Sequence, residues 1–73
     1  MDVMTGSLTL TVNGQVRYFE AQLTVTGLVE GLGLDMRKVA VELNREIVPR
    51  STYGAVALRD GDVLEIVHFI GGG

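Results

Sequence analysis

The chain has 73 residues, no cysteine and a formal net charge of −3. A chain of this length forms one domain at most, and the absence of cysteine excludes disulfides, thiolate catalysis and cysteine-ligated zinc sites. The acidic balance argues against nucleic-acid binding, which requires a basic face, and favours docking on a basic protein surface.

Hydropathy narrows the class of protein further. Hydrophobic residues make up 47% of the sequence and charged residues 21%, which is a globular composition. No apolar run reaches the length of about 18 residues that a membrane span needs, and the N-terminal MDVMTGS does not resemble a secretory signal. We therefore expect a cytoplasmic protein without membrane association, folded as a single domain over residues 1–73 in which residues 1–6 are frayed.

The first predicted element is a β-hairpin. The segment SLTLTV alternates apolar and polar residues with the period of a half-buried strand. Asn13-Gly14 supplies the two positive-φ positions of a type I′ turn, which is a strong hairpin signal. The segment QVRYFE continues as the second strand, with Val16 and Tyr18 on one face.

A helix is predicted next. Four apolar residues recur at the spacing of one helical face: Val25, Leu28, Val29 and Leu32. Thr24 is placed to cap the first turn through its hydroxyl, and Gly33 suits the left-handed position just past a helix end. The segment LDMRK that follows is interpreted as a connection.

Three further strands complete the pattern. VAVELN is the third strand, and a turn at Asn44-Arg45 leads into a short EIVP strand that Pro49 confines to a sheet edge. RSTYGAVAL is irregular with at most one helical turn, RDGD is a tight turn, and the last strand, VLEIVHFI, runs from Val63 to Ile70. A helix that links a first hairpin to later strands crosses one face of a single sheet. The prediction is an α+β fold, with a mixed sheet of four to five strands and one main helix.

The last strand is a candidate binding surface. Glu65 should face solvent, so Leu64 and Ile66 lie on the core face while Val67 and Phe69 are exposed beside Glu65. An exposed apolar patch of this kind marks a partner surface. Val67, Phe69 and Glu65 are therefore predicted to dock a partner. The alternative is that Phe69 folds over the sheet edge and covers the core.

Other charged residues are weaker candidates. Arg45 and Arg50 flank the fourth strand and are assigned to the same docking surface, with a solvated turn as the alternative. A metal site is not expected, because His68 is the only histidine and there is no cysteine. Asp60 and Asp62, in RDGD, are explained by turn formation.

The last three residues, Gly71, Gly72 and Gly73, follow the final strand directly. A tail without side chains can thread a narrow channel and lets the backbone approach a cofactor closely. Its one reactive group is the α-carboxyl of Gly73, a poor electrophile until it is activated as an acyl phosphate or acyl adenylate. The pattern suggests a carrier whose working group is its own C-terminus. The simpler interpretation is a flexible end without function.

These segments also resemble a known family. LTVTGLVEGL, VAVELNREIVPRS and LRDGDVLEIVHFIGGG, with VNG before them, are similar to the ubiquitin-like sulfur carriers of β-grasp fold. The similarity is greatest to the ThiS type, which serves thiamin (thiazole) biosynthesis, and it covers most of residues 8–73. Two features depart from the family pattern: a third glycine, Gly71, which we interpret as a spacer, and the N-terminal extension MDVMTGS.

The resemblance implies a carrier protein and not an enzyme. A ThiF-like adenylating enzyme would use ATP and Mg²⁺ to convert the Gly73 carboxylate to an acyl adenylate. Sulfur from a cysteine desulfurase system would then give a terminal thiocarboxylate, and a ThiG-like thiazole synthase would take the sulfur. The chain itself would bind no cofactor, and we expect it to be a monomer when free.

Two alternatives stay open. The small subunit of molybdopterin synthase also carries sulfur on a Gly-Gly terminus, although those chains tend to have extra helical material where this sequence has only DMRK. A β-grasp interaction module without covalent chemistry would have an inert tail. That second alternative predicts that removal of Gly72 and Gly73 leaves function intact.

Overall fold

The structure, a computed structural model, describes residues 7–69. The expectations for the N-terminus 1–6, for Ile70 and for the tail 71–73 lie outside the described residues. The elements in chain order are β1 (Ser7–Val12), β2 (Gln15–Glu20), α1 (Val25–Gly31), a 3-10 helix (Met36–Lys38), β3 (Val39–Leu43), β4 (Glu46–Ile47), a second 3-10 helix (Arg50–Thr52) and β5 (Val63–His68).

The five strands form one mixed sheet in the order β2-β1-β5-β3-β4. β1 and β5 are parallel neighbours at its centre, and the other neighbouring pairs are antiparallel. Side chains of α1 join those of the strands in one core cluster, so the helix packs on a single face of the sheet. The predicted α+β arrangement, a β-grasp with one main helix, is confirmed.

The buried core lies between α1 and this face of the sheet. Most inward-facing residues of β1, β3 and β5 are buried as predicted, among them Leu10, Val41 and Leu64, whereas Leu43 is half-buried and His68 is exposed. Tyr53 and Leu58 are also buried, although they come from the segment predicted to be irregular. Removing a large apolar side chain from water stabilises a fold by about 1.5–3 kcal/mol. This irregular segment is therefore part of the core and not a loop lying over it.

The same segment explains how a seven-residue helix with two glycines is held in place. The first N–H groups of any helix lack partners within it. Val25 and Thr26 donate theirs to carbonyls of the irregular segment at 3.1 Å. Gly27 donates to Oγ1 of Thr24 at 3.1 Å, which confirms the predicted N-cap. Gly33 adopts a φ of 78° just past the helix end, again as predicted.

Three boundaries differ from the prediction. The last strand, predicted to reach Ile70, ends at His68. Its partner β3 has no residues beyond that point, because the preceding chain forms the 3-10 helix Met36–Lys38 where the sequence predicts only a connection. Phe69 makes one further bond, from its N–H to a carbonyl of that 3-10 helix at 2.7 Å. The EIVP strand shortens to Glu46–Ile47.

Candidate functional site

The central strand β5 carries the candidate site and is the last strand before the glycine tail. It pairs with β1 over its first two residues, where Val63 lies opposite Thr11, and with β3 over the rest of its length, where Val67 lies opposite Ala40. A strand with neighbours on both sides has little freedom to tilt or slide. The point at which the chain leaves the sheet, after Phe69, is therefore fixed by the core.

Two asparagines in tight turns bind β5 from opposite sides. Asn13 accepts a hydrogen bond at Oδ1 from the N–H of Ile66 (2.7 Å) and donates one from Nδ2 to the carbonyl of Ile66 (3.1 Å). Asn44 accepts at Oδ1 from the N–H of Val63 at 3.0 Å. Both asparagines have a φ of 52°, which this residue type tolerates in turns. The two side chains thus continue the backbone ladder where β1 and β3 end.

Replacement Asn13→Ala is expected to lower the free energy of unfolding by about 2 kcal/mol. Two partly buried hydrogen bonds to Ile66 are lost, at about 1 kcal/mol each, and alanine tolerates a positive φ poorly. Urea denaturation measures the change. Asn13→Gly is the matched control, because glycine accepts the φ and lacks only the amide, so it should lose less stability. An alanine variant within about 0.5 kcal/mol of wild type would contradict a stabilising role for these bonds.

Large apolar side chains are exposed on the sheet face opposite α1, which we call the open face. All six exposed large apolar residues within 7–69 lie there: Val16, Tyr18, Ile47, Val63, Val67 and Phe69. The pairing register fixes their orientation, since outward-facing Thr11 lies opposite both Val16 and Val63. Their exposed fractions run from 45% to 77%. Apolar surface gathered on one side of a small domain is typical of a protein-binding surface.

The structure separates the predicted docking residues into two groups. Glu65, Val67 and Phe69 lie on the open face toward the end of β5. Arg50 lies at the same end, because its guanidinium donates at 3.0 Å to the carbonyl of the first β3 residue, which pairs with the last residue of β5. Arg45 lies in the turn before β4, beside the start of β5 and a strand length away from the others. A docking role for each residue stays a prediction.

Phe69 does not cover the core. Its side chain is 51% exposed and is not among those packed against the core cluster, which contradicts the alternative that it folds over the sheet edge. It borders a shallow groove together with Ile47, Pro49 and Arg50. The groove offers a recess for a partner's side chain next to the point where the chain leaves the sheet.

Arg45 has a backbone conformation that favours glycine. Its φ is 72°, and it follows Asn44, which is also at positive φ. The left-handed conformation costs a non-glycine residue about 1–2 kcal/mol. The Arg45 side chain is exposed and forms no ion pair or hydrogen bond within residues 7–69. No contact in this part of the chain compensates for the strain.

Replacement Arg45→Gly is expected to raise the free energy of unfolding by about 1 kcal/mol, equivalent to a melting temperature about 4–8 °C higher. Glycine adopts this φ without strain, and the gain exceeds its greater freedom in the unfolded chain. Thermal unfolding followed by circular dichroism measures the shift. Arg45→Ala removes the same charge but keeps the strain, so it should melt near the wild-type temperature. A lower melting temperature for the glycine variant would contradict strain at this turn.

Basic side chains gather where the chain leaves β5. Arg37 is neutralised by Asp35, whose Oδ2 lies 3.0 Å from Nη2. Hydrogen bonding to this guanidinium holds the pKa of the Asp35 carboxyl at about 2. Lys38 and Arg50 form no ion pair within residues 7–69. This end of the sheet therefore presents uncompensated positive charge.

Two further expectations from the sequence concern acidic residues. Asp60 accepts at Oδ1 from the N–H of Thr9 at 2.7 Å, and Asp62 accepts at Oδ2 from the N–H of Arg59 at 2.8 Å. The Asp62 bond closes the RDGD turn as predicted, whereas the Asp60 bond joins that turn to β1. Residues 7–69 hold no group of three or more potential ligand side chains placed to bind a metal ion. The same part of the chain contains no helix that is both long and apolar enough to cross a membrane.

Val16, Tyr18 and Ile47 belong to the open face, although the sequence predictions do not include them in the docking surface. They lie on the edge strands β2 and β4, where the buried face depends on the pairing register. A usable signal was present, because a two-residue turn fixes the register of a hairpin. The turn at Asn13-Gly14 places Val16 opposite outward-facing Thr11, and the corresponding turn before β4 places Ile47 on the same face.

Comparison with known proteins identifies close relatives of similar length. The model of the ThiS family matches residues 10–73. The sulfur carrier protein ThiS of Bacillus subtilis is 42% identical over 65 residues, which cover 88% of this chain and 98% of that protein. The crystal structure of a thiamine biosynthesis protein (ThiS) from Geobacter metallireducens superposes with a TM-score of 0.76 and 38% identity, covering 90% of this chain and 100% of that one.

Two longer proteins are also similar. A thiazole synthase of Paramagnetospirillum magneticum is 61% identical over 64 residues, or 88% of this chain. A thiazole synthase of Magnetococcus marinus is 53% identical over 62 residues, or 85% of this chain. The chain spans only 20% and 19% of the lengths of these two proteins. The similarity therefore concerns one segment of each.

Proposed function

The chain belongs to the ThiS family, and from this membership we propose that it carries sulfur on the carboxyl group of Gly73 for thiazole formation in thiamin biosynthesis. The observation that carries the proposal is the family match over residues 10–73, which includes all three glycines of the tail. The fold supports it, because β5 holds the residues before the tail in a fixed place.

The chemistry at Gly73 has to begin with activation. A carboxylate resists attack by a nucleophile, so an adenylating enzyme would join it to the α-phosphate of ATP and release pyrophosphate, with Mg²⁺ balancing the phosphate charge. Hydrosulfide as the nucleophile then attacks the acyl carbon, and AMP leaves with one of the original carboxylate oxygens. A persulfide delivered by the desulfurase system would instead give an acyl disulfide with loss of AMP, and a thiol would then cleave its S–S bond, forming a new disulfide as it releases the acyl sulfur. The product is a thiocarboxylate, whose sulfur is the nucleophile for the next transfer.

This chain would position the tail and make it accessible to the partner enzymes. The open face offers apolar area for docking, and the groove beside Phe69 lies where the tail begins. Glycine residues after that point would let a partner enclose the backbone closely, since no Cβ stands in the way. The ATP site and the groups that catalyse transfer would belong to the partner enzymes.

We propose two enzyme partners: a ThiF-like adenylating enzyme and a ThiG-like thiazole synthase, with a cysteine desulfurase system as the sulfur source. The 61% identity to a segment of a protein named thiazole synthase supports the second partner. One compared protein is named a thiazole synthase and another a thiamine biosynthesis protein, and neither name refers to molybdopterin, which favours the thiazole pathway over the alternative. We also propose that the carrier acts in the cytoplasm and is a monomer when free.

Intact-mass spectrometry tests the proposal. The purified protein is incubated with ATP, Mg²⁺, a sulfur donor and the adenylating enzyme of the same organism. We expect a gain equal to the exchange of one oxygen for sulfur, located on Gly73 by fragmentation. No gain with an adenylating enzyme that is active on another carrier would contradict the proposal. The mass of the protein isolated from its own cells would establish whether Gly73 is the terminal residue there.

A further inference from the structure

We propose that the open face binds a partner protein which presents an arginine among apolar side chains, and that Glu42 and Glu65 hold its guanidinium from two sides. The inference rests on the proposed function, because the partner is taken to be one of the enzymes that act on the tail. It adds a specific charged contact to what would otherwise be an apolar docking surface.

An uncompensated acidic pair lies in the middle of the sheet. Glu42 of β3 lies directly opposite Glu65 of β5, and both side chains are exposed. Cβ atoms of directly opposed residues lie about 4.5–5.5 Å apart, and like charges in such pairs destabilise a sheet. Within residues 7–69 the only ion pair joins Asp35 and Arg37, and neither glutamate side chain forms a hydrogen bond there. A cation from outside this part of the chain is the natural complement.

Exposed apolar side chains surround this acidic pair. Val63 and Val67 are the neighbours of Glu65 on the same face of β5, and Ile47 lies directly opposite Glu42 on β4. All three are among the exposed large apolar residues. When a partner covers them, water leaves and the effective dielectric falls, so a charge pair at the centre is strengthened. The residues therefore form a polar contact enclosed by an apolar rim.

The geometry of two carboxylates favours arginine over other occupants. Neighbouring strands are about 4.8 Å apart, so one planar guanidinium can donate to both groups from its two edges. A second copy of this chain is disfavoured, because two-fold contact through this face would bring four carboxylates together in a protein of net charge −3. The same acidity disfavours a nucleic acid.

The acidic pair is also close to the tail. Phe69 follows Glu65 by four residues along the same strand direction, a distance of about 13 Å. A partner that places its arginine between the two glutamates can hold the chain near Phe69 with another part of its surface. The contact would thus fix the register of the tail in the partner's active site.

The test uses two isosteric variants, Glu42→Gln and Glu65→Gln, and the matched control Glu30→Gln, which removes one exposed negative charge from α1 on the other side of the sheet. Binding of each full-length protein to the purified adenylating enzyme and to the purified thiazole synthase is measured by calorimetry. We expect Kd for at least one enzyme to rise about tenfold or more in both open-face variants, and to change less than about twofold in the control. The difference should shrink at high salt, while the melting temperature of the open-face variants should stay equal or rise.

Two outcomes would overturn the inference. One is unchanged affinity of both open-face variants for both enzymes. The other is a wild-type protein that sediments as a dimer, together with a lower dimer dissociation constant for the Glu65→Gln variant. That result would identify a second copy as the occupant. Failure of the proposed function is seen separately, as an absence of sulfur gain on Gly73 in the wild-type protein. A carrier that gains sulfur normally but binds independently of Glu42 and Glu65 contradicts this inference alone.

Discussion

Alanine in place of Gly73 is expected to reduce acyl-adenylate formation roughly a hundredfold or more while leaving the fold intact. A Cβ on the residue proposed to react would widen the chain where it would pass close to the ATP site of the proposed adenylating partner. A displacement of about 1 Å at a reacting group can cost about a hundredfold in rate. The core is built from residues between Leu8 and Ile66, so the melting temperature should not change. ATP–pyrophosphate exchange measures adenylation.

Gly71→Ala is the matched control for this prediction. We interpret Gly71 as a spacer, so its variant should be adenylated within a few-fold of the wild-type rate. Adenylation of the Gly73→Ala variant at the wild-type rate would contradict the argument from a narrow channel. The interaction-module alternative makes a different prediction, that deletion of Gly72 and Gly73 leaves function intact, and the same set of proteins tests it.

Leu64→Ala is expected to cost about 3–5 kcal/mol of folding free energy, which is a large share of the total stability of a domain of this size. Leu64 is fully buried in the central strand, between Val12 of β1 and Leu43 of β3. Truncation leaves a cavity in a domain whose size allows a total stability of only about 4–11 kcal/mol. Urea denaturation measures the loss, and sulfur transfer should fall with the folded fraction.

Val67→Ala tests the opposite face of the same strand. Val67 is 57% exposed, so its truncation should change the free energy of unfolding by less than about 0.5 kcal/mol. If the open face docks partners, this variant should weaken binding without unfolding the carrier. Equal losses of stability in the Leu64 and Val67 variants would contradict the assignment of the two faces.

Much of the fold is local enough to be predicted from the sequence. The alternation in SLTLTV, the Asn13-Gly14 turn and the Thr24 cap each depend on residues within one or two turns of chain, and the structure has all three. The outward orientation of Glu65, Val67 and Phe69 was predicted from the alternation along β5. A local pattern determines these features because the alternation of apolar and polar residues and the chemistry of turns act over only a few residues.

What could not be predicted depends on contacts between distant segments. Tyr53 and Leu58 look like loop residues because nothing near them in sequence is periodic, yet the segment around them binds the start of α1 and is buried with it. The pairing of Glu42 with Glu65 can be predicted only when β3 and β5 are known to be neighbours in the sheet. The separation of Arg45 from Arg50 likewise follows from the sheet order and not from their closeness in sequence.

The parallel pairing of β1 with β5 has a mechanical consequence. A partner that grips the tail and pulls applies tension along the axis of β5. The hydrogen bonds from β5 to β1 and β3, and those of Asn13 and Asn44, run perpendicular to this axis. A pull along β5 therefore loads these bonds at the same time instead of breaking them one by one. The end of β5 can therefore transmit a pulling force into its neighbouring strands, which would suit the proposed role of a carrier bound by its tail.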